Sequence, residues 1–324
     1  MASGCCAGAQ VASSDDVARG SPMVFLRGGT FLMGSDHHYP EEGPAHHRQV
    51  RSFWIDTRPV TNGDFAAFVS ETGYRSVAER PLDPALYPGA SPAALVPGAL
   101  VFTPPPRPVK TNDLRNWWSY VPGACWRHPE GLRSSTKGRE NHPVVHIAHE
   151  DAVAFANWAG KALPTEAEWE FAARGGLDGA EFAWGAELVP KGMHMANTWQ
   201  GSFPWLNLAA DGHAGTSPVG SYPANGYGLH DMIGNVWEWT DDWYASRHED
   251  DPVVSPCCAA PDRERRSYDP RQPHLRIPRK VVKGGSFLCS PDYCRRYRPA
   301  GRQPQMVDSA MSHLGFRCVR RLSP

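Results

Sequence analysis

Thirty-one glycines and thirty-one prolines interrupt a chain of 324 residues, above the roughly 7% and 5% of ordinary globular usage. Glycine opens positive φ and proline removes a backbone donor, so punctuation at this density works against long helices and regular parallel sheets. Twelve tryptophans supply the large apolar surfaces that can stitch loops together. The expectation is a loop-rich, irregular α+β domain, and a chain of this length can bury a substantial core. Its 33 basic and 34 acidic residues nearly cancel, with no basic run, so no nucleic-acid partner is expected. There is no run of about 18 apolar residues, so no spanning helix and no membrane partner are expected.

Residues 1–22 have neither a basic start nor an apolar stretch of the secretory type and read as a disordered tail before a domain over 23–324. A cytoplasmic location follows as an expectation, together with mostly free thiols among the eight cysteines. Cys5-Cys6 and Cys257-Cys258 are vicinal and poor bridge partners for each other. MVFLRGGTFLMGS suggests a hairpin and SFWIDTRPV, at 52–60, a further strand. Three helices are announced by their ends. Thr61 with Asp64 opens one that Gly73 stops. HEDAVAFANWAG starts acidic and ends at Gly160, and Thr165 with Glu168 opens a third that runs to Gly175. Residues 75–140 read as a long loop pinned by Trp117, Trp118 and Trp126. Residues 176–324 read as short strands, with 246–279 as a mobile surface excursion.

Five segments together resemble the formylglycine-generating enzyme, or sulfatase-modifying factor, family: GGTFLMGS, HPVVHIAHEDAVAFANWAGKALPTEAEWEFAARGG, NGYGLHDMIGNVWEWTDDW, GGSFLCSPDYCRRYRPAGR and LGFRC. They run from about Met23 to Arg321. GNVWEWT and LGFRC mark the broad superfamily, whereas the cysteine pair in GGSFLCSPDYC resembles the catalytic subgroup. The resemblance implies an irregular variant of the C-type-lectin-like fold. It also implies an oxidase of bacterial type, acting as a monomer, that uses dioxygen to convert the cysteine of an unfolded sulfatase Cys-x-Pro-x-Arg segment to formylglycine. The alternative on the same scaffold is a non-catalytic, lectin-like binding module. An iron-dependent sulfoxide synthase of this superfamily would carry a His-x-x-x-His-x-Glu motif, which the sequence lacks.

Cys289 and Cys294 lie five residues apart on a segment bent by Pro291. Two soft sulfurs suit Cu(I), whereas a closed zinc site takes four ligands. A disulfide, or two core thiols, is the alternative for this spacing taken alone. By resemblance the two are the copper ligands, joined by the substrate thiolate; hydrogen is then removed from the substrate Cβ and the resulting thioaldehyde hydrolyses. Ser286 resembles a family serine beside these cysteines, where its hydroxyl could hold water or oxygen; a turn serine is the other reading. Arg298 and Arg302 are read as pocket-lining or as salt-bridged.

Two calcium loops are also implied by resemblance. In the first, Asp231 and Glu238 give carboxylates and Gly234 and Val236 carbonyls; the alternative pairs the acids with arginines. In the second, Asn197 and Asp211 give side chains and Thr198 and His213 carbonyls. Calcium takes six to eight oxygens, many from backbone, which suits glycine-containing loops. Pro143 opposes placing His142 and His146 on one helical turn as an iron pair, and His46 and His47 read as solvated in a polar loop. Compared with secreted relatives, Ala156, Ala173 and Pro299 stand where cysteines are expected, which leaves Cys318 as a buried free thiol.

Overall fold

The structure, a computed structural model, describes residues 20–248 and 263–322. Order begins before Met23. Ser21 is fully buried, its carbonyl accepts from Lys161 Nζ at 3.2 Å, and the Pro22 carbonyl accepts from the Thr57 N–H at 2.8 Å. Residues 1–19 of the expected tail, including Cys5 and Cys6, lie outside the described residues, as do Cys257 and Cys258.

The segment expected to form a hairpin contributes two strands to different sheets. β1 (Met23–Leu26) pairs with β4 (Phe53–Asp56), which also pairs with β11 (Val319–Arg321). β2 (Gly29–Met33) pairs instead with β3 (His46–Val50). The turn residues at 27–28 redirect the chain rather than fold it back. A Cβ on Gly28 would come within 2.1 Å of the Val50 carbonyl, so only glycine permits that crossing. His46 and His47 therefore sit on a strand, not in a loop.

All three helices form as their ends dictate. α1 (Asn62–Thr72) carries a capping box of Thr61 and Asp64 and stops at left-handed Gly73. α2 spans His149–Trp158, and α3 spans Glu166–Arg174 between the Thr165–Glu168 box and left-handed Gly175. The expected long loop is interrupted by a hairpin of β5 (Gly98–Phe102) and β6 (Trp118–Pro122). Its tryptophans do pin it: Trp117 and Trp126 are buried, and Trp118 is half-buried.

The sheet nearest the candidate site has the order β10-β7-β8-β9. Its strands are β7 (Trp237–Trp243), β8 (Arg279–Lys283), β9 (Arg302–Met306) and β10 (Leu314–Gly315). Between β7 and β8, residues 249–262 lie outside the described residues. The described remainder of the expected excursion is largely exposed but anchored: α4 (Arg263–Arg266) leads to buried Ser267 and Asp269, and Ile277 is buried. One aromatic cluster joins α1, α2 and the sheet through Phe65, Phe155, Trp126 and Trp239, and it also includes Cys289, Cys294 and Cys318. A second cluster joins β1–β4 to α3.

Candidate functional site

β8 delivers the chain into Gly284-Gly285-Ser286, where both glycines have positive φ. A Cβ on Gly285 would meet the Tyr297 backbone at 2.9 Å, and one on Gly284 the Met232 carbonyl at 3.0 Å. The glycine pair lets the two limbs of the cysteine segment close on each other. Ser286 is fully buried, and its hydroxyl oxygen accepts the Leu288 N–H at 3.2 Å. Its carbonyl accepts from Cys289 N–H at 2.9 Å. The Ser290 carbonyl accepts the N–H groups of Tyr293 and Cys294, at 3.2 and 2.8 Å, turning Cys294 back toward Cys289. From outside, the Trp199 N–H donates to the Cys289 carbonyl at 2.9 Å.

This turn brings Cys289 Sγ and Cys294 Sγ to 3.3 Å. A disulfide would hold them near 2.05 Å. They are unbridged thiols in contact, only 2% and 8% exposed. The hydrogen bond from Cys289 lowers the Cys294 thiol below its ordinary range against the opposing effect of burial, and Arg296 adds to the lowering. Burial, then the bond to Cys294, pushes the Cys289 thiol up. The two thiols are thus pushed in opposite directions, Cys294 toward the thiolate and Cys289 toward the thiol.

Arg296 Nη1 stands 4.0 Å from Cys294 Sγ. Glu41 grips the same guanidinium at 3.2 and 2.5 Å, and the Tyr39 ring stacks on it at 3.7 Å. The Tyr39 hydroxyl in turn accepts the Arg295 N–H at 3.0 Å. Sequence reasoning missed this arginine. Its place two residues beyond Cys294 was a usable signal, whereas Glu41, 255 positions away, offered none. Arg298 and Arg302 take the salt-bridged role: Arg298 forks onto Glu42 at 2.8 and 2.5 Å, and Arg302 onto Glu166 at 2.7 and 2.9 Å. Tyr293 stacks on Phe203 at 4.3 Å, and Trp117 meets both rings edge-on.

In the first acidic loop, Glu238 is engaged by protein groups. Arg317 forks onto it at 2.7 and 2.8 Å and Trp169 Nε1 donates at 2.8 Å, all groups buried. Its charge is already matched, as in the arginine-pairing alternative. Among the described residues, no arginine side chain forks onto Asp231 in the same way. Its Oδ2 accepts from the Gly220 N–H at 2.7 Å, and burial raises its carboxyl pKa. Gly234 and Val236 are buried; a Cβ on Gly234 would lie 2.4 Å from the Asn197 carbonyl, so the two loops are in contact.

The second loop is different. Among the described residues, buried Asn197 Oδ1 has no hydrogen-bond partner. Asp211 accepts from the N–H groups of Thr198 at 3.3 Å and His213 at 3.0 Å, and from Gln200 Nε2 at 2.9 Å. Gln200 Nε2 also donates to the Thr198 carbonyl. An unpaired buried acceptor beside a carboxylate and a carbonyl fits a hard cation. His142 Nδ1 lies 3.0 Å from Thr216 Oγ1, and fully buried His146 bonds the Pro129 carbonyl at 2.8 Å through Nε2, so the two do not converge on an ion. Among the described residues, Cys125 and Cys318 are buried and unbridged, with Ala156 and Ala173 buried where partners were looked for.

Comparison with known proteins places this geometry in a lineage. The sulfatase-modifying factor enzyme 1-like domain model matches residues 8–322. The chain belongs to that family. It is 56% identical to the formylglycine-generating enzyme of Mycobacterium tuberculosis over 92% of this chain and 97% of that one. It is 46% identical to the Thermomonospora curvata enzyme of the same name, over 95% of each. A mouse relative named as an inactive formylglycine-generating enzyme 2 is 37% identical, over 93% of this chain and 86% of that one. Among solved structures, PvdO from Pseudomonas aeruginosa aligns with a TM-score of 0.62 at 24% identity, over 93% of this chain and 95% of that one. CarF aligns with a TM-score of 0.54 at 21% identity, over 95% and 100%. The fold is thus the irregular, loop-rich α+β domain expected. Because the family contains a member named inactive, membership alone does not decide catalysis.

Proposed function

We propose that this chain matures sulfatases by oxidising the cysteine of an unfolded Cys-x-Pro-x-Arg segment to formylglycine, with dioxygen as electron acceptor and Cu(I) held by Cys289 and Cys294. The observation that carries the reading is the pair of sulfurs at 3.3 Å, beside Arg296 and not closed into a disulfide. Two soft sulfurs of low total charge fit Cu(I) better than the harder ions. When bound, the copper would supply the electron-transfer chemistry with dioxygen that thiols alone lack. The substrate loses two electrons and two protons from its cysteine to give a thioaldehyde. Water then replaces sulfur, leaving the aldehyde and hydrogen sulfide.

This chain's own residues do the positioning. The bond from Cys289, with Arg296 beside it, favours the Cys294 thiolate, and the Ser286 turn fixes Cys289. Exposed Tyr293, backed by Phe203 and Trp117, presents an aromatic face beside the sulfurs. We further propose calcium at the second loop, held by Asn197 and Asp211 with the Thr198 and His213 carbonyls, as a structural ion. A reducing compartment fits the unbridged thiols among the described residues.

The test is incubation of copper-loaded protein with a Cys-x-Pro-x-Arg peptide in air and capture of aldehyde by a hydrazide probe. Alanine in place of the peptide's proline or arginine should slow the reaction. Equal turnover of any cysteine peptide would remove the motif, and no aldehyde at all would leave the binding-module alternative.

A further inference from the structure

Trp199 lines a pocket of about 320 Å³ and, through its backbone N–H, holds the Cys289 carbonyl at 2.9 Å. Pro291 and Asp292, from the middle of the cysteine turn, form another part of the wall. Leu188, Val189 and Met195 make much of the remainder apolar. Asp292, the charged group of the wall, is already engaged: the Ser290 hydroxyl donates to Oδ1, and the Phe203 N–H donates to Oδ2 at 3.3 Å.

Apolar side chains also crowd the mouth. Val189 is itself exposed. A Cβ on Gly201, which lines the pocket, would lie 2.5 Å from the Leu206 carbonyl and 3.3 Å from Leu208 Cγ. Leu206 is exposed, and Leu208 is 64% exposed. Aliphatic side chains left open to water around one concavity mark a binding surface.

The wall includes the turn whose ends carry the sulfurs. A polypeptide with its cysteine at Cys289 and Cys294 therefore passes the mouth within a residue or two. The arginine of the motif, four residues on, lies about 13 Å away along an extended chain. Resting on the sulfatase reading above, we propose that this pocket takes an aliphatic side chain from the two residues that precede the substrate cysteine. Folding tends to bury aliphatic side chains, so an unfolded segment offers them more freely. The pocket thereby favours sulfatase chains that have not yet folded.

Fluorescence anisotropy with labelled peptides that carry serine in place of the reactive cysteine tests this without turnover. Leu-Leu-Ser-x-Pro-x-Arg should bind the wild-type chain about tenfold more tightly than Ser-Ser-Ser-x-Pro-x-Arg, the order expected for burying a leucine side chain. Val189→Trp, at an exposed position, fills the mouth and should bring that ratio to about one. Val189→Ser, which adds no bulk, should lower it part-way. The corresponding cysteine peptides should show the same ratios in kcat/KM. Alanine for the peptide's proline should cost the same in the wild type and in Val189→Trp, since the two sites are independent. Equal affinity of the two peptides for the wild type, or a ratio that survives Val189→Trp, would overturn the proposal. So would a proline effect that vanishes in Val189→Trp, which would make the proline the occupant. If the ratio holds but no cysteine peptide yields aldehyde, the oxidase reading falls and the pocket stands.

Discussion

Cys294 and Cys318 are buried thiols of one aromatic cluster, yet their neighbours set them to opposite chemistry. Cys318 lies among apolar groups with its N–H on Asp56 Oδ2 at 2.9 Å, and burial followed by the Asp56 charge pushes its thiol well above the ordinary range. Cys294 has a second sulfur to donate to it and a guanidinium beside it, which together outweigh its burial. Burial by itself makes a cysteine inert. The turn that doubles the sulfur and the arginine that follows set Cys294 apart.

The largest effect that could break this contrast is loss of turnover. Cys289→Ala or Cys294→Ala should each abolish aldehyde formation and firm Cu(I) binding. Cys318→Ala should keep both, at a cost of about 1 kcal/mol in urea unfolding. Aldehyde from the double cysteine variant would end the assignment.

Next comes the contrast between neighbouring arginines. Arg298→Met strands buried Glu42 and should destabilise by about 3–5 kcal/mol. Arg296→Met should destabilise far less, because its pair with Glu41 is partly exposed, but it removes the cation beside sulfur. Its signature is a pH profile. Cys294 alkylation in the copper-free protein should shift to higher pH, since a thiol whose pKa was held down deprotonates later once the cation is gone. An unshifted profile would mean that Arg296 is structural only.

Much of the scaffold was legible in the sequence because capping is local: Thr61 with Asp64 and Thr165 with Glu168 each specify a helix start within four residues. Strand pairing is not local. Alternating apolar residues and glycines at 23–34 marked strands correctly and paired them wrongly, because the partners of β1 and β2 lie beyond the turn. The β5–β6 hairpin escaped notice because 15 residues rich in proline separate its strands. At the site, the cysteines and Ser286 could be picked out, but the choice of Arg296 over Arg298 depends on which acid of Glu41-Glu42 each one meets.

A smaller effect sharpens the comparison of the acidic loops. Chelation of calcium should lower the melting temperature by mass action, and Asp211→Asn should remove that response. Glu238→Gln should lower stability whether or not calcium is added, since it breaks a buried pair with Arg317. A chelator-insensitive melting curve would overturn the calcium proposal.

The smallest expected effect is acid sensitivity of the scaffold. Burial holds His146 down at about 4 and His313 at about 3. Their stabilising contribution is present above the unfolded value near 6.5 and is lost as pH falls toward 4, because the unfolded chain takes up those protons first. His146→Asn, which suits the positive φ at that position, should flatten the fall in melting temperature over that window. An unchanged slope would assign the acid sensitivity elsewhere.

Asn197, Thr198 and Trp199 are consecutive, so the acidic loop and the N–H that grips the Cys289 carbonyl belong to one short stretch of backbone. Bench handling inherits that linkage. Under the calcium proposal, a reagent chosen to strip adventitious metals during purification would act on this loop and, through three residues of main chain, on the spacing of the sulfurs. Preparations washed with such a reagent and preparations kept in calcium buffer should differ in the speed with which Cys289 and Cys294 oxidise to a disulfide in air, before any copper is added.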